Sequence, residues 1–216
     1  MKMKKQVVSM ALLGMMAVGG GTNAFAAEGD YQTINNGSGI DIKTSAEIKA
    51  KGVIGEADNT DPGESLPEGD DKWINVTLPT DVVFNSDENN EHKTIVSPDN
   101  YKITNNSGRP VQVSLENFEG VKEGTALQTL NLAPKVDGDF ESKELIKDKK
   151  ITASPSELVK LANKDGEMTG NVNAKKEVSF KFTGNVDKTA LGEKKENVEY
   201  NMTLKFKALK MDGSEV

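Results

Sequence analysis

The chain has 216 residues, of which 35% are hydrophobic and 5% aromatic, and it carries 27 Lys and Arg against 34 Asp and Glu, a formal net charge of −7. Such an acidic balance argues against nucleic acid and against anionic membrane surfaces as partners, because both attract basic faces. The absence of Cys excludes disulfides, thiolate nucleophiles and cysteine metal sites.

Residues 1–26 have the three parts of an export signal. Basic residues come first, an apolar stretch follows at residues 7–18, and the segment ends in Ala24-Phe25-Ala26, a small-x-small cleavage site. We therefore predict cleavage after Ala26 and a secreted, extracellular protein. The apolar stretch is shorter than the ~20 residues that span a bilayer, so no membrane span is expected after cleavage. One Arg among 27 basic residues is typical of low-GC Gram-positive bacteria.

The mature chain begins with two segments of different character. Residues 27–39 are polar and rich in Asn and Gly, which predicts a flexible leader. Apolar and polar residues then alternate from Ile40 to Ala50 and the pattern continues to Ile54, so residues 40–54 are predicted to form a long strand with one buried face. This strand has two possible partners, its own sheet or the open edge of a neighbouring copy.

Residues 55–71 hold seven carboxylates and two Pro, which predicts an acidic linker or a long loop. A calcium site within residues 56–71 is the alternative, since carboxylate oxygens suit a hard cation. The Asp spacing departs from the EF-hand pattern, so we expect a solvated segment and no cofactor.

Residues 72–210 are predicted to form the folded domain, and residues 211–216 a C-terminal tail. Apolar and polar residues alternate in short runs with turn signals between them, which predicts an all-β, antiparallel β-sandwich of eight or nine strands. The last run, Tyr200 to Ala208, is predicted to be a central core strand because one face is apolar throughout. The expected strands are 73–78, 82–84, 93–96, 101–104, 111–115, 127–132, 178–182 and 198–208.

Three connecting segments carry specific expectations. Ser154-Pro155-Ser156-Glu157 matches a capping box with Pro at the first helical position, so one short helix is predicted near residues 155–162. Asn105-Asn106-Ser107-Gly108 predicts a tight hairpin turn. Residues 137–150 are charged and turn-like.

Few residues suggest chemistry. His92 is the only histidine and lies in a polar stretch, which argues against a His-based triad or a two-His metal site. Trp73 breaks the alternation of its strand and is either packed at an edge of the sandwich or exposed as a contact residue. Arg109, the only guanidinium, is expected to form a salt bridge. We predict no catalytic, cofactor-binding or metal-ligating residue, and hence no enzyme.

Three stretches resemble secreted surface proteins of low-GC Gram-positive bacteria: Trp73-Ile-Asn-Val-Thr-Leu-Pro-Thr-Asp-Val-Val-Phe84, Ser97-Pro-Asp-Asn-Tyr-Lys-Ile-Thr-Asn-Asn-Ser-Gly-Arg-Pro-Val111 and Phe118-Glu-Gly120. Together with the Tyr-led strand from Tyr200 to Leu209, they are distantly similar to WxL-type cell-surface domains. The Trp-x-Leu motifs that define those domains are absent here. The resemblance implies a β-rich fold and non-covalent association with the cell wall, and it assigns no binding residue.

These observations favour a secreted, non-enzymatic structural or adhesion protein at the cell surface. Its expected partners are the cell wall, other surface proteins or further copies of itself by strand exchange. A soluble ligand- or carbohydrate-binding module with Trp73 near the contact surface is the alternative. A β-sandwich hydrolase is a third hypothesis, which would require two carboxylates and an aromatic side chain in one cleft.

Overall fold

A computed structural model describes residues 45, 46, 52 and 54–216. The predicted signal peptide 1–26, the leader 27–39 and most of the strand predicted at 40–54 lie outside the described residues. The elements of the described part are, in chain order, a 3-10 turn Asp71–Trp73, β1 Val76–Thr77, β2 Asn85–Ser86, a 3-10 turn Glu88–Asn90, β3 Thr94–Val96, β4 Tyr101–Asn105, β5 Val111–Lys122, β6 Leu127–Val136, β7 Asp139–Phe140, β8 Lys143–Lys147, β9 Lys150–Ile151, β10 Ser156–Leu161, β11 Glu177–Val186, α1 Lys188–Leu191 and β12 Glu199–Ala208.

The strands form two curled antiparallel sheets. The larger sheet has nine strands in the order β1-β4-β11-β6-β8-β9, with β3 also paired to β11, β2 to β3 and β7 to β6. The smaller sheet has three strands in the order β10-β5-β12. The prediction of an all-β, antiparallel, sandwich-like fold is confirmed. There are more strands than the sequence indicated; β5, β6 and β11 are longer than predicted and β1 is shorter, and residues 82–84 form no strand because β2 begins at Asn85.

The core lies between the two sheets. Alternate residues of β5 and β11 face inward, since successive side chains of a strand point to opposite faces. Phe180 and Phe182 of β11 are each 3% exposed, and Val113 of β5 is completely buried. The buried cluster consists of Ile95, Ile103, Val113, Leu115, Phe118, Leu127, Leu130, Leu132, Leu145, Ile146, Leu158, Leu161, Val178, Phe180 and Phe182.

The predicted helix near 155–162 is wrong, because this segment forms β10. It pairs with β5 from Ser156↔Leu115 to Leu161↔Val111, with a bulge between Glu157 and Val159. The bulge interrupts the alternation, so that Leu158 and Leu161 are both buried at a spacing of three that resembles a helix. A two-turn helix is unstable on its own, and pairing with β5 outweighs the local capping signal.

The short helix is instead α1. The Asp187 side chain accepts a hydrogen bond from the Ala190 backbone N–H, as an N-cap does, and Gly192 follows the helix with a φ of 57°. Both signals are present in the sequence, but a four-residue helix has too little apolar periodicity to be recognised.

Residues 137–150 contain three strands between turns. Asp137 and Gly138 both have positive φ and join β6 to β7, and Asp148 and Lys149 do the same between β8 and β9. Two-residue turns of this kind match the twist of a hairpin. The segment that the sequence marked as charged and turn-like therefore contains two hairpins, β6–β7 and β8–β9.

The predicted hairpin at Asn105–Gly108 is also wrong, because β4 and β5 belong to different sheets. The segment is a corner organised by the buried Asn105 amide. Its Nδ2 donates to the carbonyls of Arg109 and Ala162, both at 2.8 Å, and its Oδ1 accepts from the Ser107 N–H at 3.0 Å. These bonds satisfy backbone groups that a corner would otherwise leave buried and unpaired.

Candidate functional site

The free edge of β12 is the most distinctive surface of the described domain. Ten residues of β12 pair with β5, from Ala208↔Val111 to Glu199↔Lys122. Within the described residues no strand pairs with the other side of β12. The strand predicted to lie centrally in the core is thus an edge strand, and the alternation that suggested a buried strand shows only that one face is apolar.

The inward face of β12 is only partly covered. Tyr200, Met202, Leu204 and Phe206 are all half-buried, whereas Leu115, opposite Leu204 on β5, is 1% exposed. The interior therefore opens along the β12 edge. An apolar face beside unpaired backbone groups is the chemistry that an added β-strand recognises.

An aromatic pair supports the far end of this edge. The Tyr200 ring stacks on Phe118 of β5, with 5.0 Å between ring centroids and 15° between the planes. Burial raises the pKa of the Tyr200 hydroxyl above its usual value of 10.0, because the phenolate would lose solvation. Tyr200 is thus neutral at physiological pH and presents an uncharged ring to the edge.

Glu196 fixes the chain just before β12. One carboxylate oxygen accepts from the Thr125 hydroxyl at 2.5 Å and the other from the Ala126 N–H at 3.0 Å. These hydrogen bonds lower the pKa of Glu196 below its usual value of 4.5, the Thr125 bond being the main cause. The beginning of β12 is consequently tied to the turn between β5 and β6.

A cavity lies between the sheets beside Met202 and Leu204, and its lining is apolar. Its volume is about 10 Å³, enough for roughly one water-sized probe and not for a ligand. The partly open interior is therefore suited to side chains entering from the edge and not to a small molecule.

The acidic segment forms a loop held against the other end of β12 by Glu68, Trp73 and Arg109, here called the Arg109 cluster. Arg109 Nε and Nη2 donate to Glu68 Oε1 at 2.9 and 2.8 Å, and Nη1 donates to the Pro62 carbonyl at 2.7 Å. The guanidinium carbon lies 4.5 Å from the ring centroid of Trp73. The salt bridge expected of Arg109 is present.

Trp73 is 0% exposed and its Nε1 donates to the Pro67 carbonyl at 2.8 Å. Of the two positions proposed for it, the packed one is found, and a contact role with Trp73 at the surface is not supported. The 3-10 turn that ends at Trp73 explains why this residue departs from the strand alternation.

Gly108 allows the loop to approach the corner closely. Its N–H donates to the Asn59 carbonyl at 2.8 Å. A Cβ at this position would lie 2.8 Å from the backbone of Asp61 and Pro62, which is too close for any larger residue without a shift of the loop. The sequence indicated a turn glycine here, but the loop that requires it is distant along the chain.

The loop carboxylates accept hydrogen bonds from nearby backbone groups. Asp58 accepts from the Thr60 N–H at 2.9 Å, Asp61 from Gly63 at 2.8 Å and Asp70 from Lys72 at 2.9 Å. Among the residues that the structure describes, no three potential ligands lie together as a metal site would require.

His92 lies in the polar turn after β2, where its Nδ1 is 2.9 Å from the Ser86 hydroxyl. Its φ of 59° places it in the left-handed region, together with Glu91. His92 lies in a turn, as the sequence indicated, and it is half-buried.

One open polar groove lies on the larger sheet, with a volume of about 640 Å³. Phe140 stands near it between two ammonium groups, with Lys181 Nζ at 4.0 Å and Lys135 Nζ at 5.6 Å from its ring centroid. The groove is lined by Lys135, Asp137, Gly138, Asn173, Lys175, Glu177 and Ser179.

Comparison with known proteins assigns no family. No protein-family model matches the chain, and no curated protein is significantly similar to it in sequence. In the described part of the chain, no helix has the length and apolar character needed to cross a membrane.

Proposed function

We propose that this chain is a secreted, non-enzymatic structural or adhesion protein that associates with the cell surface. The observation that carries the proposal is the ten-residue free edge of β12 with its half-buried apolar face. Such an edge can bind extended protein segments, which suits a protein that acts through protein contacts at the cell surface. The export signal expected at residues 1–26 and the resemblance to WxL-type domains support the location.

The arrangement of charged groups supports a binding role over a catalytic one. Several carboxylates of the described domain are engaged with neighbouring lysines, as in Lys102–Glu177 at 2.8 Å and Lys149–Asp187 at 2.6 Å, or with loop backbone groups. The apolar cavity beside Met202 has no carboxylate in its lining. The polar groove on the larger sheet does contain two carboxyl groups, Asp137 and Glu177, with Phe140 near it. A glycosidase uses such a pair about a substrate cleft, but here Glu177 is paired with Lys102, which favours a binding role.

Cell fractionation tests the proposed location. We expect the protein in the wall fraction, released by lysozyme or by high salt, with an N-terminus at Ala27 or Glu28 after signal cleavage. Recovery only from the medium would contradict surface association, and Met1 at the N-terminus of the exported product would contradict the signal. A secreted protein without wall affinity, expressed from the same cells, is the control for incomplete washing.

The polar groove on the larger sheet favours a second candidate, a carbohydrate-binding module. Its amide, hydroxyl and ammonium groups can hydrogen-bond to sugars, and Phe140 provides an apolar ring nearby. Calorimetry with soluble peptidoglycan and teichoic-acid fragments tests it. Asn173→Ala and Lys175→Ala would then weaken binding at least tenfold, whereas Lys205→Ala on the smaller sheet would not change it.

A further inference from the structure

We propose that the segment Ile40–Ala50 of one copy of the chain adds as a fourth strand to the free edge of β12 in a second copy. The inference rests on the proposed structural function and deepens it by naming the contact that joins the copies. Of the occupant, the structure describes only Ser45 and Ala46, which are exposed and belong to no strand. The acceptor lies entirely within the described residues.

The β12 edge is long compared with the other sheet edges that the structure describes. β1 and β9, which end the larger sheet, have two residues each, and β10 on the far side of the smaller sheet has six with a bulge. Short and bulged edges resist the addition of a strand. β12 offers ten residues, and is therefore the edge where an added strand would form the most hydrogen bonds.

The partly covered apolar face of β12 would stabilise an added strand in addition to the backbone hydrogen bonds. Tyr200, Met202, Leu204 and Phe206 point toward the interior but remain half-buried. A fourth strand with apolar residues on the same face would cover them from the side. Burial of apolar surface would then add to the ladder hydrogen bonds.

The segment matches this edge in length and in pattern. Its eleven residues are enough to cover ten, and Ile40, Ile42 and Ile48 lie on one face. In an antiparallel register, with Ser45 opposite Thr203, Ile42 lies opposite Phe206 and Ile48 opposite Tyr200. The same register places Asp41 opposite Lys207 and Lys49 opposite Glu199, while Lys43 meets Lys205 as the one like-charged pair.

Geometry favours a second copy as the acceptor. Asn59 is bound to Gly108, three residues before Val111, which pairs with Ala208 at the end of β12. For antiparallel pairing within one molecule, residue 50 would have to lie near Glu199, nine residues or about 30 Å from Ala208 along the strand. The nine steps from residue 50 to Asn59 would cover this distance only at full stretch, about 31 Å. Residues 55 and 56 form a bend and Gly55 has a φ of 113°, so the chain is not fully stretched and the segment falls short.

Within one molecule only the parallel orientation remains. All pairings in both described sheets are antiparallel, and antiparallel pairing is slightly more stable per residue. A second copy is not limited in this way, because it can place its β12 antiparallel to the segment. The antiparallel pairing is therefore available only between two copies. Because donor and acceptor are different surfaces, the contact is head-to-tail and links subunits in series, as an open chain unless the rotation closes a ring.

Sedimentation of the mature chain, residues 27–216, tests self-association. We expect the mass to rise with concentration, and the Ile42→Asp/Ile48→Asp variant to stay monomeric with the same melting temperature for the folded domain. Lys43→Asp is the matched control, since it changes a polar-face residue of the same segment and removes the like-charged pair with Lys205. It should associate as well as the wild type or more tightly. A wild-type chain that remains monomeric up to millimolar concentration would overturn the proposal.

Cysteine cross-linking shows which edge accepts the segment and whether that edge belongs to the same chain or to another copy. The chain contains no Cys, so only the introduced residues can form disulfides. Ser45→Cys/Thr203→Cys should give a ladder of disulfide-linked multimers under mild oxidation. Ser45→Cys/Glu157→Cys, which uses the opposite edge of the same sheet, should give at least tenfold less. A monomer with an internal disulfide would show that the segment pairs within its own chain, and equal ladders from both variants would show random collision. Either result contradicts the proposal.

The two proposals fail separately. Multimers in the purified protein, together with recovery of the protein only from the medium, would support strand addition and contradict surface association. Conversely, the protein could be recovered from the wall but neither sediment as multimers nor cross-link at residue 203. That result would support surface association and contradict strand addition.

Discussion

At the scale of single residues, the corner between the two sheets depends on one amide. Asn105 is completely buried and bonds to Arg109, Ala162 and Ser107. We expect Asn105→Ala to reduce the free energy of unfolding by about 3 kcal/mol, because buried carbonyls lose their donors. Denaturant titration measures this. Asn106→Ala, which removes a single bond to the Thr77 hydroxyl, should cost less than about 1 kcal/mol; equal losses would contradict the role given to Asn105.

Arg109 should not be replaceable by Lys. An ammonium group cannot reproduce the planar fork that contacts Glu68, the Pro62 carbonyl and the Trp73 ring together. We expect Arg109→Lys to cost about 1–3 kcal/mol and to loosen the loop. Trp73 is the only tryptophan, so its fluorescence reports the loop directly. The emission should shift to longer wavelength in the variant; an unchanged spectrum with unchanged stability would show that the Arg109 cluster does not hold the loop. Lys102→Arg, at an exposed ion pair, is the control.

Glu196 should make the melting temperature of the domain depend on pH. Its pKa is lowered in the folded state, so its carboxylate stabilises the fold above the usual value of 4.5, and this contribution is lost as the pH falls below 4.5 through the folded-state value. Glu196→Gln should therefore flatten the decline of melting temperature below pH 4.5. Glu193→Gln, an exposed residue of the same loop, should keep the wild-type slope, and parallel curves for all three proteins would refute the assignment.

At the scale of elements, the two paired strands β5 and β12 differ in burial although their sequences alternate equally well. Leu115 of β5 is 1% exposed and its partner Leu204 is half-buried. In the monomer we expect Leu115→Ala to cost about 3–5 kcal/mol and Leu204→Ala about 1–2 kcal/mol. Thr203→Ala, on the outer face, should cost the least. Equal losses for the two leucines would show that the β12 edge is already covered.

The sequence predicted which segments have an apolar face, but not what lies beside them. Alternation identified β4, β5, β11 and β12 because it depends only on neighbouring residues. The position of β12 at an edge depends on where β5 and β10 pair, and no local pattern records this. Lys205 and Lys207 on its outer face were the available signal, since lysines are common on edge strands.

The same limit explains the wrong helix and the unrecognised Arg109 cluster. In β10 a single bulge changes the period of the apolar residues from two to three, so a local rule selects the wrong element. Glu68 and Arg109 are 41 residues apart, and their pairing follows from packing of the loop on the corner. The salt bridge of Arg109 could be anticipated because an isolated guanidinium requires acceptors, but its partner could not.

At the scale of the whole molecule, the domain achieves its fold without cysteine through a continuous apolar core between two sheets. Strands of high sequence separation form much of it, as in the pairing of β5 with β12 and of β4 with β11. Such long-range pairing folds slowly compared with local structure. Acidic residues outnumber basic ones, and the ion pairs of the described domain other than Arg109–Glu68 lie at half-exposed or exposed sites, where each adds little to stability.

The docked loop has a mechanical consequence. Residues 55–71 are held to the domain by contacts of Arg109 and Gly108 and lie between the N-terminal segment and the first strand. Tension on the N-terminal segment would reach these contacts before any sheet. Rupture of these contacts would release 17 residues, which extend to roughly 55–60 Å at full stretch. The chain would therefore lengthen under force before the two sheets unfold. Force spectroscopy should record this step ahead of unfolding, and Arg109→Lys should lower its force; a single rupture with no early step would exclude it.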